Sequence, residues 1–280
     1  MIPPHLIEPA VRDALAEDLG HGGDLTSRAV VPAGTRVTAT LAARAPGRLC
    51  GVPLAVAAFR ATDPAADIRV HRTDGEVVAA DEPILTVTAD ARVVLTAERT
   101  ALNFVAHLSG IATATAELAG QVAPHGTRIA DTRKTTPGLR GLEKAAVRAG
   151  GGHNHRLRLD DGVLIKDNHR ALAGESLAAA VNRARGRVGH TVTVTVEVDS
   201  LAELDAVLPA RPDVVLLDNM DPPTLAEAVR RTRGRALTEA SGGITLDTAA
   251  AVAAAGVDVI SVGWLTHSAP ALDVGLDVTA

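Results

Sequence analysis

The chain has 280 residues and almost no aromatic side chains: no tyrosine, one tryptophan and two phenylalanines. Stacking of bases on aromatic rings is a main way of holding single-stranded nucleic acid. A net charge of −5 also disfavours contact with a phosphate backbone. No nucleic-acid partner is therefore expected. The single cysteine, Cys50, excludes an intrachain disulfide and a cysteine-rich zinc site. No run of about eighteen apolar residues is present, so no membrane span is expected. The first 27 residues carry Glu8, Asp13, Glu17 and Asp18 in place of a signal-type apolar core, which predicts a cytoplasmic protein. Lysine is also scarce. Only Lys134, Lys144 and Lys166 occur, and the other basic residues are arginines.

What is present is ordinary for a globular chain: 46% hydrophobic residues, much of it alanine and valine, and 22% charged. The length suits one large α/β domain with a smaller one. An acidic helix is predicted over 11–18, followed by short strands over 37–43, 68–71 and 84–88. Apolar residues at helical spacing predict a long helix over 92–108, interrupted by Gly110 and resumed over 111–122. From about residue 127, short apolar runs alternate with helical stretches, the pattern of βα units. Strands are predicted over 128–132, 163–167, 191–198, 214–219, 237–241 and 259–263, with helices over 142–149, 176–185, 201–208, 223–232 and 246–255. The pattern fits a barrel or a doubly wound sheet.

The chemistry falls at the strand ends. The predicted strands finish on Arg133-Lys134, Lys166-Asp167, Glu197, Asp218-Asn219, Ser241-Gly242 and Gly263. Parallel α/β folds bring these ends to one face, where such folds build their sites. Residues 128–170 hold ten basic and five acidic residues within an acidic chain. Arg140, Lys144 and Arg148 fit a solvated helix face, whereas Arg133, Lys134, Arg156 and Lys166 flank strands or glycine turns and point to a compact anion. Ser241-Gly242-Gly243 before a helix has the features of a phosphate loop, and Gly263 after the next strand reinforces it. No G-x-x-x-x-G-K-[ST] string occurs. His153, His155 and His169 could be drawn as a metal site. Asn154 and the neighbouring arginines favour anion binding, with His155 donating to a carboxylate. Glu197 and Asp218 suit hydroxyl acceptors for a sugar, or stabilisers of developing positive charge.

These residues carry a resemblance. Residues 98–103 (E-R-T-A-L-N), 131–138 (D-T-R-K-T-T-P-G), 150–156 (G-G-G-H-N-H-R), 164–169 (L-I-K-D-N-H), 217–220 (L-D-N-M) and 239–244 (E-A-S-G-G-I) resemble the quinolinate phosphoribosyltransferase family, as does Gly23-Asp24-Leu25-Thr26. The resemblance implies an N-terminal α/β sandwich domain over 1–110 and an incomplete α/β barrel of six or seven strands over 111–270. A tail over 271–280 would return to the first domain. It implies quinolinate and phosphoribosyl pyrophosphate as substrates, with Mg²⁺ bound alongside the latter. It also implies a homodimer with shared active sites, with a hexamer as a larger assembly. Arg133, His155, Arg156 and Lys166 would grip the quinolinate carboxylates with Thr132 nearby, and Arg99 would arrive from the partner subunit. Lys134 would hold pyrophosphate, Glu197 and Asp218 the ribose, and Ser241, Gly242, Gly243 and Gly263 the 5′-phosphate. Lys134, Lys166, Glu197 and Asp218 would form the catalytic set.

Three positions depart from the family's pattern: Ala145 and Asp160 stand where aromatics are common, and Trp264 stands where a small residue is usual. The last puts the shape of the phosphate loop in question. Competing readings are a related phosphoribosyltransferase associated with molybdenum transport, a Schiff-base aldolase using Lys166, and a non-catalytic sensor of sugar phosphates. The last two make poor use of a cation cluster facing two strand-end carboxylates.

Overall fold

The computed structural model describes residues 2–279. Its elements run in the order α1 (Pro4–Leu19), α2 (Leu25–Val30), β1 (Arg36–Ala43), β2 (Gly47–Arg48), α3 (Val52–Thr62), β3 (Asp67–Val70), β4 (Val77–Val78), β5 (Pro83–Asp90) and α4 (Ala91–Val122). They continue with β6 (Arg128–Ala130), α5 (Arg140–Ala149), β7 (Val163–Ile165), α6 (Asp167–Ala173), α7 (Leu177–Arg185) and β8 (Val194–Val198). The chain ends through α8 (Leu201–Val207), β9 (Val214–Asp218), α9 (Pro222–Thr232), β10 (Leu237–Ser241), α10 (Leu246–Ala254), β11 (Val259–Ser261), α11 (Trp264–His267) and β12 (Val274–Thr279). Two compact units result. The first comprises residues 1–116, 136–151 and 265–280, and the second residues 117–135 and 152–264.

The first unit is built on an antiparallel sheet of order β12-β1-β5-β3. β1 alternates inward residues such as Val37, Ala39 and Leu41 with more open ones, the period-two pattern of a half-buried strand. Its core joins Leu41, Leu85 and Val87 of the sheet to Leu54, Ala58 and Phe59 of α3 and to Val94, Ala101 and Val105 of α4. The C-terminal strand β12 pairs with β1 over six residue pairs, from Thr38 with Thr279 to Ala43 with Val274. The short helix α2 lies outside the predicted elements. Its start is marked by Asp24, which accepts the Ser27 amide at 2.9 Å and is held below its usual pKa chiefly by that residue.

The second unit is a parallel sheet of six strands in the order β6-β11-β10-β9-β8-β7. β6 and β7 are the two edges and do not pair with each other. The barrel is therefore incomplete, as the resemblance implies. Val196, Val215, Leu217, Ala240 and Ile260 are fully or almost fully buried, as strands covered by crossover helices require.

The predicted break at Gly110 does not occur. α4 is one continuous helix of 32 residues. Gly110 serves packing instead: a Cβ there would lie 2.1 Å from the Pro270 carbonyl oxygen and 2.9 Å from the Ala271 Cα. A glycine that admits another backbone looks, in sequence, the same as one that ends a helix. Two substitutions in this helix should have opposite signs. A Cβ at Gly120 would meet nothing within 4 Å, so Gly120→Ala gains roughly 0.5–1 kcal/mol from helix propensity. Gly110→Ala loses about 1–3 kcal/mol to overpacking despite the same propensity gain. Denaturant midpoints of the two variants against the parent chain measure both.

Candidate active site

β6 ends at Ala130, and the next residue, Asp131, is fully buried. Its Oδ1 accepts the His155 amide at 2.8 Å and its Oδ2 accepts the Asn154 side-chain amide at 2.6 Å. Parallel backbone contacts extend the attachment: the His153 amide donates to Ile129 O at 2.8 Å, and the Asp131 amide to His153 O at 3.1 Å. The segment bearing His155 and Arg156 is thus fixed to the strand that leads into Thr132, Arg133 and Lys134. Thr132 Oγ1 accepts the Lys134 amide at 3.0 Å, shaping that turn. Asp131 is not among the site residues that the sequence singles out. Its only signal is an acid set at a strand end inside a cationic run.

The Arg156 amide donates to His155 Nδ1 at 2.7 Å. A backbone N–H is only a donor, so the ring proton sits on Nε2. Arg156 Nη1 donates to Gly162 O at 3.0 Å. Burial, then the nearby positive charge of Arg133, push the Arg156 guanidinium below its ordinary pKa, against a smaller pull from Asp161. Two guanidiniums crowded in this way are relieved by an anion. Lys166, at the end of β7, pairs with Glu197 at the end of β8, with Nζ 2.5 Å from Oε2. Arg133, Arg156, Leu164, Lys166, His169 and Arg183 are among the residues lining a cavity of about 680 Å³.

His169 does not join a metal cluster. Its Nδ1 accepts the Lys166 amide at 3.0 Å and closes the first turn of α6. Among the described residues, no group of three or more His, Cys, Asp or Glu is placed to hold a metal ion.

Further along the same strand ends, Asp218 Oδ1 accepts the Ser241 hydroxyl at 2.7 Å, and its Oδ2 accepts the Asn219 side-chain amide at 2.7 Å. The Asn219 amide donates to Ser241 O at 2.9 Å. Gly242 has φ +95°, and a Cβ there would fall 2.1 Å from Asn219 Oδ1 and 3.0 Å from its backbone nitrogen. Gly243 also has positive φ, +60°. Only glycine suits position 242, and the left-handed backbone at 243 favours it. Trp264, the residue that put this loop in question, supports it. Its indole N–H donates to Ile244 O at 2.9 Å, on the helix side of the two glycines. Gly263 is half-buried beside it. The strand ends thus gather all the residues singled out in sequence except Arg99, which is exposed on α4 in the first unit.

A second buried acid escapes the sequence reading. Glu239 lies on β10, two residues before Ser241, with 4% of its surface exposed. Its Oε1 has no hydrogen-bond partner, and it stands 3.5 Å from His155 Nε2. In sequence it reads as one more residue of an apolar strand with a glutamate in it. Its placement depends on which strand lies opposite.

Trp264 is the sole tryptophan, so its emission reports on the loop it anchors. Ribose 5-phosphate should change that emission in the parent chain and leave it unchanged in Gly242→Ala, whose added methyl displaces Asn219; a fluorescence titration of both checks this.

Residues 24–109 match the quinolinate phosphoribosyl transferase N-terminal domain, and residues 111–277 match its C-terminal domain. The nicotinate-nucleotide pyrophosphorylase [carboxylating] of Mycobacterium leprae is 48% identical over 273 residues, covering 96% of this chain and 95% of that protein. A probable enzyme of the same name from Bacillus subtilis is 41% identical, covering 94% and 90%. The solved structure of the nicotinate-nucleotide pyrophosphorylase from Francisella tularensis superposes with a TM-score of 0.93 at 38% identity, covering 100% of this chain and 98% of that one. On both sequence and fold, the chain belongs to the quinolinate phosphoribosyl transferase family.

Proposed function

We propose that the protein transfers the phosphoribosyl group of phosphoribosyl pyrophosphate to the ring nitrogen of quinolinate, releasing pyrophosphate and then carbon dioxide to leave nicotinate mononucleotide, a step of NAD biosynthesis. The observation that carries this reading is the division of labour along one set of parallel strand ends. Arg133, His155, Arg156 and Lys166 form a cationic, proton-donating end, and Asp218, Ser241, Gly242 and Gly243 form a sugar-phosphate end.

Each group has a task that its chemistry supports. Arg133, Arg156, Lys166 and the His155 Nε2–H receive the two ring carboxylates, with the Thr132 turn alongside. Lys134, exposed at the tip of that turn, holds the pyrophosphate. The 5′-phosphate takes the loop of Ser241, Gly242 and Gly243, with Gly263 beside it. Glu197 and Asp218 accept ribose hydroxyl protons and face the positive charge that develops as the pyrophosphate bond breaks. Glu197 is bonded to Lys166 and Asp218 to Ser241, so the groups proposed to meet the ribose are held in place. The ring nitrogen supplies the electron pair for the new bond to the sugar. The pyridinium so formed stabilises the electron pair left on the ring when the adjacent carboxylate departs, and that carbon then takes a proton. The described residues do not form a protein cage for a cation. Mg²⁺ would accompany phosphoribosyl pyrophosphate and would supply neutralisation of its phosphate charge.

The exposed position of Arg99 supports a homodimer in which the partner subunit's Arg99 completes the carboxylate end. Incubation with phosphoribosyl pyrophosphate, Mg²⁺ and either quinolinate or nicotinate tests the reaction. Nicotinate mononucleotide is expected from quinolinate alone, and product from nicotinate alone would refute the assignment. Mixed dimers of Arg99→Ala with Lys166→Ala should regain part of the activity that each variant lacks by itself, because one of the two sites is then intact; verified heterodimers without recovery would refute the shared site.

A further inference from the structure

Lys166 and Glu197 sit at the ends of neighbouring parallel strands, β7 and β8, and the helix that follows each strand is held in a different way. α8, after β8, buries Leu204 and Val207. α6, after β7, is seven residues long and buries none of them, so apolar packing does little to fix it. Its first turn is closed locally. The Lys166 amide donates to His169 Nδ1 at 3.0 Å, and the Arg170 amide donates to Lys166 O at 3.0 Å. Bonds of this kind shape the turn without placing it against the next strand.

Arg170 supplies a tie to the neighbouring strand–helix unit. Its Nη1 pairs with Glu203 Oε1 on α8. The other oxygen of Glu203, Oε2, accepts the Asp199 amide at 3.3 Å in the turn that leaves β8, and the Glu203 amide donates to Ser200 Oγ at 3.4 Å. Glu203 thus joins the packed helix α8, the turn that follows Glu197, and the unpacked helix α6. Neither Arg170 nor Glu203 is among the residues lining the cavity. The same two strand–helix units are therefore bridged twice, by Lys166 with Glu197 at the strand ends and by Arg170 with Glu203 one helical turn further along α6.

The inner bridge is the one that substrates disturb. In the roles given above for Lys166 and Glu197, on which this inference rests, Lys166 turns to a ring carboxylate and Glu197 to a ribose hydroxyl. Their mutual bond is then weakened at the stage when their placement matters most. We propose that Arg170 and Glu203 are positioning residues: their pair is an outer clamp, untouched by ligand, that keeps the Lys166 turn set against the end of β8 while the inner pair opens onto the substrates. A partly exposed ion pair contributes little to stability. Misplacement of a reacting group by about 1 Å, by contrast, can cost about 100-fold in rate. Loss of the clamp should therefore appear in binding and rate rather than in stability.

The test compares Arg170→Met, Glu203→Gln and the double variant with the parent, each as the full chain; either single variant suffices if the other folds poorly. Each single variant should lose about tenfold or more in kcat, with the KM for phosphoribosyl pyrophosphate within about threefold because the phosphate loop is unaltered. Tm should stay within about 4 °C of the parent. The double variant should be no worse than the poorer single one by more than about twofold, since either change alone opens the clamp. Arg170→Lys, which keeps the charge, should recover most of the rate. Calorimetry with quinolinate alone reads the Lys166 end without turnover, and affinity should weaken about fivefold in either single variant, less than a whole charge-assisted hydrogen bond. Single variants within about twofold of the parent in rate and affinity, losses that multiply in the double variant, or a Tm lowered by more than about 10 °C with an unchanged rate per folded molecule would each overturn the clamp. Absence of quinolinate binding by the parent would overturn it together with the roles it rests on. A parent that binds quinolinate, with the weakened affinities in the variants but no product from both substrates, would instead sink the proposed reaction and leave the clamp standing.

Discussion

The buried carboxylate of Asp131 is the interaction on which the site depends. Four cationic or proton-donating side chains have to be held close together before any ligand neutralises them, and they repel one another. Asp131 meets this by bonding through both oxygens to one short segment, at the His155 amide and the Asn154 side chain, while its own backbone continues into Thr132, Arg133 and Lys134. One residue thus fixes two cation-bearing segments and supplies negative charge beneath them. A carboxylate accepting backbone and side-chain N–H groups tolerates full burial in a way that an unpaired one does not.

The same logic divides the site's other acids by environment. Glu197 is paired with Lys166 and Asp218 is bonded to Ser241 and Asn219, which holds both in place for the role proposed for them towards a sugar. Glu239 faces an apolar strand neighbour on each side, and burial raises its pKa above the usual carboxyl value. Carboxyls of similar strand position therefore sit in different surroundings, as the proposed combination of anion capture with stabilisation of a developing positive charge requires. Electrostatic preorganisation of this kind is the main resource for a reaction whose covalent chemistry is borne by the substrates.

Much of this is legible in the sequence, because parallel strands place their ends together whatever their order. Arg133, Lys166, Glu197, Asp218 and Ser241 can each be seen terminating an apolar run. The glycines at 242 and 243 announce a loop, and their positive φ values give the reason. Less visible are features that depend on what lies opposite. Gly110 reads as a helix break until the Pro270 carbonyl is placed against it. Trp264 reads as an obstruction until its N–H is seen to hold Ile244 O. Asp131 shows only as an acid at a strand end and Glu239 only as a glutamate within a strand, since their contacts are made with a segment more than twenty residues away in one case and more than eighty in the other. Local spacing reports which residues share a face, and only tertiary placement reports which of them touch.

The central claim is that one end of the site holds a pyridine dicarboxylate while the other presents a phosphoribosyl group to its nitrogen. The most direct measurement uses quinolinate labelled with ¹⁴C separately in its 2- and 3-carboxyl groups, with phosphoribosyl pyrophosphate and Mg²⁺. The 2-carboxyl label is expected to leave as carbon dioxide, one for each pyrophosphate released, and the 3-carboxyl label to stay in nicotinate mononucleotide. Carbon dioxide released without phosphoribosyl pyrophosphate, or pyrophosphate released with both labels retained in the final product, would contradict it.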